Sequence, residues 1–154
     1  MRFFLVISIF WLILPTSSWS ESLTMDDLIE RNNLFYEKFT DVPFSGEIRN
    51  PEGGSELTVG HFENGKKDGF WRVYFGDGSL HSKKQYKDGK LNGRSEFYWQ
   101  QGTSIIENYK NGKLDGRWEM YNENGILDLR EFKDDKMLTH EIYSAEGKLV
   151  TKWK

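Results

Sequence analysis

The feature that most constrains this chain is an internal period of about 23 residues. A phrase reading YKNGKLDGRWEMYNENG from Tyr109 has already appeared as YKDGKLNGRSEFYWQQG from Tyr86 and as FENGKKDGFWRVYFGDG from Phe62. Its closing glycines, Gly46, Gly69, Gly93 and Gly116, step by 23, 24 and 23 residues. The aromatics that open it, Phe39, Phe62, Tyr86, Tyr109 and Phe132, keep the same step. So do the turn glycines Gly65, Gly89 and Gly112, with Asp135 in the fourth slot. A second turn series runs through Gly54, Gly78, Gly102, Gly125 and Gly147. A fixed period of this size means a stacked array of small units, each contacting its neighbours.

The unit reads as a β-hairpin. FWRVYF, RSEFYW and RWEMYN have the length and aromatic content of strands. Asn-Gly and Asp-Gly on one side, and G-D-G or its relatives on the other, supply the positive φ of tight turns. Stacked hairpins add roughly 10 Å per repeat, so four to five units predict a meander of roughly 40–50 Å. The expected fold is all-β: an elongated, single-layer antiparallel meander of stacked hairpins. Thr24-Met25-Asp26-Asp27 is the one capping-box-like helical candidate. The segment from Ile29 to Tyr36 reads better as a hairpin about Asn32-Asn33.

Four segments follow from this reading. Residues 1–20 form a secretory signal: Arg2, an apolar run from Phe3 to Leu14 broken only by Ser8, then Pro15 and Ser18-Trp19-Ser20 before the cleavage point. The run is shorter than the ~20 residues that cross a bilayer; an uncleaved anchor is the alternative. Residues 21–56 are a lead-in with a degraded first repeat, 57–148 the repeats, and 149–154 a half-repeat that completes the last rung. The chain has no cysteine, hence neither a disulfide framework nor a lipid-anchored N-terminus. The mature protein is expected to be periplasmic or secreted.

Charge and motifs narrow the function. Without Arg2, 20 basic residues face 24 acidic ones, a net charge of −4. Such a chain has no electrostatic reason to seek nucleic acid or an anionic membrane. His61, His81 and His140 fall at different places in the repeat and read as exposed strand residues, without metal-ligand spacing. Asp68, Asp88 and Asp115 supply one carboxylate per loop, too few for calcium, and read as turn residues. No nucleophile elbow or phosphate-binding glycine loop occurs. The expectation is a protein without catalytic residues, metal or cofactor.

Two rows of repeated side chains remain. Lys66, Lys90, Lys113 and Lys136 share one turn position, with Lys87, Lys110 and Lys133 at another, yet the acids between them leave only +2 across four turns. A lipid site wants about four to eight uncompensated cations, so a solvated edge that resists aggregation is expected. The aromatics recur too. Trp71, Tyr74, Phe97, Tyr98, Trp99, Trp118 and Tyr121 should form ladders, mostly as cross-strand core. One sheet has two faces and little to cover the second, so these seven are the candidate partner-binding aromatics.

The phrase Y-K-N-G-K-L-D-G-x-W-x-x-Y-x-x-N-G resembles the MORN-repeat variant found in many bacterial proteins. FYEKFTDVPFSGEI, Phe35 to Ile48, is similar to the lead-in of a bacterial subfamily often labelled as an antitoxin component. The resemblance spans about residues 28–153. It departs at Ser95, which stands where other units have Trp71 and Trp118, and in the last unit, where Asp135 and Thr139 replace glycines and a less regular turn is expected. It implies a scaffold, a partner-binding strip or a lipid-contact surface. The leading expectation is an exported, non-enzymatic protein-binding module. The alternatives are an antitoxin or immunity protein that neutralises a toxin by contact, and an envelope lipid or glycan binder. Partner identity and oligomeric state are left open.

Overall fold

The computed structural model describes residues 23–52, 56–99, 102–125 and 127–154. The signal expected over residues 1–20, and Gly54 of the second turn series, lie outside them. The described chain is made of strands joined by turns and short loops, with one 3-10 turn at Met25–Asp27. Strands β1 (Leu28–Arg31) and β2 (Leu34–Glu37) form a two-stranded sheet of their own. All others belong to one antiparallel meander: β3 (Gly46–Glu52), β4 (Glu56–Glu63), β5 (Lys66–Phe75), β6 (Leu80–Lys87), β7 (Lys90–Leu91), β8 (Gly93–Tyr98), β9 (Ser104–Lys110), β10 (Lys113–Leu114), β11 (Gly116–Tyr121), β12 (Leu127–Lys133), β13 (Lys136–Tyr143) and β14 (Leu149–Trp153). The expected all-β repeat architecture is what the structure shows. β14 pairs with β13 as the final half-rung.

Local turn chemistry makes these hairpins. Asn64, Asp88 and Asn111 take φ near 50° and are followed by Gly65, Gly89 and Gly112 at 76–88°. Two successive left-handed residues give a turn whose twist matches the flanking strands. Asp134 and Asp135 hold the same conformation at 48° and 68°. The fourth turn is therefore as regular as the others, contrary to expectation, because aspartate tolerates this region better than other side chains.

After each turn the strand must step outward. Between the pairs Tyr109↔Leu114 and Ile106↔Glu119, β9 advances three residues while the facing chain advances five. The same two-residue excess occurs opposite β4 and β6. In the last unit, Phe132↔Met137 is followed by Glu131↔Thr139, an excess of one. Thr139 thus does not replace a glycine; the glycine is missing. Since side chains alternate faces, the shorter excess places His140, rather than Glu141, in line with Trp118.

Adjacent units are tied along the turn edge by side chains as well as backbone. The residue before each closing glycine accepts from the first turn residue of the next unit: Asn64 N–H donates to Ser45 Oγ (2.8 Å), Asp88 N–H to Asp68 Oδ2 (3.4 Å) and Asn111 N–H to Asn92 Oδ1 (3.1 Å). Beside them, the N–H groups of Gly65, Gly89, Gly112 and Asp135 donate to Phe44, Lys67, Leu91 and Leu114 carbonyls at 2.7–2.9 Å. Of the aspartates that could have suggested calcium, Asp68 links two turns through its carboxylate, Asp88 sits in a turn and donates its N–H, and Asp115 pairs with Lys133 Nζ at 2.8 Å.

The lead-in departs furthest from the repeat. Its hairpin turns on Asn32 (φ 52°) and Asn33 (φ 61°), as expected. Thr24 N–H and Oγ1 both donate to Asp27 Oδ2 at 2.8 Å, closing the 3-10 turn. However, β1 and β2 are not a rung of the main sheet. They lie over it, and among the described residues before β4 it is Gly46–Glu52, with Leu23 bridged in parallel to Ile48, that joins the array. Phe39, aligned with the opening aromatics, is fully exposed at φ 68°. Phe35 and Phe44 do the packing instead. Phe35 N–H donates to Gly65 O (2.8 Å), and Phe44 O accepts from Gly65 N–H (2.7 Å). Both rings close on Phe62, with centroids at 4.8 and 5.8 Å, and Trp71 meets it edge-on at 5.1 Å. Phe62 and Ile48 are wholly buried, and with Leu28, Phe44 and Trp71 they form the core. Each such side chain contributes roughly 1.5–3 kcal/mol by burial.

Candidate partner-binding face

Alternation along each strand, combined with the pairing register, sorts side chains onto two faces. One face carries a line of cross-strand pairs running across the sheet: Ile48 with Gly60, Trp71 with Lys84, Ser95 with Glu107, Trp118 with Arg130, and His140 with Trp153. This tryptophan face is the one the lead-in covers at its N-terminal end. Trp71 lies flat over Gly60, where a methyl group would sit 2.3 Å from the indole, and its Nε1–H donates to His61 O (3.1 Å).

Past Tyr86 the cover ends and the chemistry changes. Glu107 accepts from Tyr109 OH (2.8 Å) and from Trp118 Nε1–H (3.1 Å). The Arg130 guanidinium lies 4.5 Å from the Trp118 ring centre and grips Asp128 through Nε and Nη2, at 3.0 and 2.7 Å. His140 Nε2 stands 2.9 Å from Asp128 Oδ1, and its ring is 4.7 Å from that of Trp153. Towards the other edge, Lys84 Nζ sits 4.9 Å over Phe97, which stacks on exposed Trp99 at 6.4 Å. Burial, reinforced by the bond to Glu107, pushes the Tyr109 hydroxyl well above the ordinary tyrosine value.

The opposite face repeats a different element. Tyr98, Tyr121 and Tyr143 donate to Glu96, Glu119 and Glu141, two residues back, at 3.1, 3.1 and 2.6 Å. Arg94, Arg117 and Lys152 pair with the same three carboxylates at 2.8, 3.3 and 2.5 Å. Across these three units this tyrosine face is a lattice of paired charges. Nearer the N-terminus it carries exposed Phe70, with the Arg72 guanidinium and Lys83 Nζ at 5.3 and 4.5 Å from its ring centre.

The seven sequence-predicted aromatics therefore do not form one strip. Phe97, Trp99 and Trp118 lie on the uncovered part of the tryptophan face, Phe97 stacked on Trp99 and Trp118 held separately by Glu107 and Arg130. Tyr74, which pairs with Leu57, and Tyr98 and Tyr121 lie on the tyrosine face. Trp71 is buried at 6% exposure beneath the lead-in and offers a partner nothing. Of the histidines, only His61 is an exposed strand residue; His81 and His140 are half-buried. Sequence reasoning missed Glu107, Asp128, Arg130 and Trp153. The cue was present in the spacing: Gly125 to Gly147 is 22 residues, one short of the period. That shortfall marks the missing glycine and moves His140 and Trp153 into the line.

Among the described residues, no group of three or more His, Asp or Glu side chains could hold a metal ion. The uncovered face offers fixed donors, acceptors and cations among half-buried rings. Such an arrangement suits recognition through shape and paired charge. No protein-family model and no curated protein matches the chain.

Proposed function

We propose that the protein is an exported, non-enzymatic binding module of MORN-like β-repeats whose uncovered tryptophan face receives a protein partner. One observation carries this reading. The covered and uncovered ends of this face are built on the same line of cross-strand pairs. The chain buries one end under its own hairpin and leaves Phe97, Trp99, Trp118 and Trp153 without such a cover. Aromatic side chains held by a polar rim are the usual anchors of protein interfaces. In a second reading, favoured by the likeness of the Phe35–Ile48 segment to an antitoxin lead-in, the companion is a toxin neutralised by contact. Export fits a toxin that arrives from outside.

The test is cross-linked affinity capture of a C-terminally tagged chain from its native cells, with mass spectrometry reading both the N-terminus and the companions. A chain starting at Glu21, with one dominant exported protein attached, is the expected result. Trp118→Ala and Trp99→Ala should release that companion, and Tyr121→Ala on the opposite face should retain it. Release by Tyr121→Ala alone would assign the wrong face. A chain still starting at Met1 in the cytosol would end the export argument, and capture of envelope glycan or lipid alone would replace the protein partner. A toxin as companion would decide for the second reading.

A further inference from the structure

Three turns of the array are followed by a lysine and then an apolar residue: Lys90-Leu91, Lys113-Leu114 and Lys136-Met137. The unit at Lys66 breaks this rule with Lys67. Register places Lys67 opposite Phe62, on the tryptophan face. Its Nζ lies 4.2 Å from the Trp71 ring centre and 5.5 Å from that of Tyr86. Among the described residues it makes no ion pair, although Glu30 stands near enough to oppose the loss of its proton. Burial first, and then repulsion from Lys84, holds its pKa below the ordinary lysine value. A cation moved partly out of water, with ring surfaces on it and no ion pair among the described residues, is one that an anion would stabilise.

The surroundings suit such an anion. Lys67 lies at the margin of the lead-in hairpin, where a cleft of about 490 Å³ opens between that hairpin and the turn edge. Phe35 and Tyr86 give the cleft apolar walls, and the charges of Lys66 and Lys90 are matched by Glu30 and Asp88, which leaves Lys67 as the cation in excess. We propose that this cleft binds a small aromatic carboxylate, with the anion on Lys67 Nζ and the ring against Phe35 and Tyr86. Aromatic walls favour a flat ring, and a carboxylate pairs with a partly desolvated ammonium through a charge-assisted hydrogen bond. The site stands apart from the docking of a protein further along the face and does not depend on it.

Benzoate titrated into the full chain, followed by backbone amide NMR shifts, tests the proposal. Saturable shifts centred on Gly65–Lys67 and Gly89–Lys90 are expected. Benzyl alcohol, which keeps the ring without the charge, and inorganic phosphate, which keeps charge without the ring, should both bind much more weakly. Lys67→Leu restores the residue that two sister units carry and should keep the fold while weakening benzoate by about ten-fold or more. Lys67→Met serves if the leucine variant folds poorly, and Lys66→Ala should change the affinity by less than about two-fold. Undiminished benzoate binding in a folded Lys67 variant, or equal binding of benzyl alcohol or phosphate, overturns the proposal. So does the absence of a saturable response.

Discussion

The two halves of the tryptophan face share a backbone, a register and a sequence period, yet they are stabilised in different ways. At the N-terminal half, Phe35 and Phe44 come down on Phe62, which Trp71 meets edge-on, and the rung becomes a small apolar core. At the C-terminal half, the same rows carry Glu107, Arg130 and Asp128. Tyr109, Trp118 and Phe97 are held by a hydrogen bond or a cation instead of a second layer, and Trp99 and Trp153 lie against Phe97 and His140. The repeat specifies a rung. Whether that rung becomes interior or surface depends on what the chain lays over it. Polar partners are how an uncovered rung keeps its rings in place while remaining available.

Mutations should separate the halves. Phe62→Ala removes a wholly buried ring packed on three others, and a loss of about 3–5 kcal/mol is expected from urea unfolding. A truncation on the same face of the open half, Trp118→Ala, removes one hydrogen bond and one cation–ring contact and should cost about 1–2 kcal/mol. Equal losses would mean that the lead-in does not make a core. Next, Gly60→Ala would force Trp71 off its seat, for about 1–3 kcal/mol, readable as a lower unfolding midpoint and a shifted indole N–H resonance. Asn92→Ala, which cuts one link between turns, should cost about 0.5–1.5 kcal/mol, with hydrogen exchange quickening at Asn111.

The smallest expected effect is one of pH. The Tyr109 hydroxyl is held above its ordinary value by burial and then by its bond to Glu107, so the folded state favours the protonated form. Its contribution is complete below the unfolded tyrosine value of about 10 and is lost as pH rises towards the folded one. Stability measured across that alkaline window should fall less steeply in Tyr109→Phe. Tyr86, raised by burial alone, provides the comparison, and its phenylalanine variant should change the slope less.

Turns, strand order and the closing half-rung were legible in the sequence, because each rests on short-range chemistry repeated several times. Asn-Gly and Asp-Gly declare their own dihedrals, and a two-residue alternation declares a strand. The lead-in was legible as a hairpin through Asn32-Asn33 but not as a cover. Its contacts join Phe35 and Phe44 to a rung some 20 residues away, and nothing local distinguishes them from Phe39, which points into solvent. Trp71 was misplaced for the same reason. The split of the aromatics onto two faces required an exact register, which turns on how many residues each step after a turn contains. Trp118 and Tyr121, three residues apart, end on opposite faces, a relation that composition and period leave unstated.

The side chains that join successive turns have one more consequence. Because Ser45, Asp68 and Asn92 each reach forward to the following unit, every module brings its own coupling to the next, and none depends on a partner further away. The molecule can then be lengthened or shortened by whole modules without redesigning what remains. Gene duplication or loss would change the span of the surface on offer while leaving its grammar intact. Only the covered end, which is made once, has to be kept.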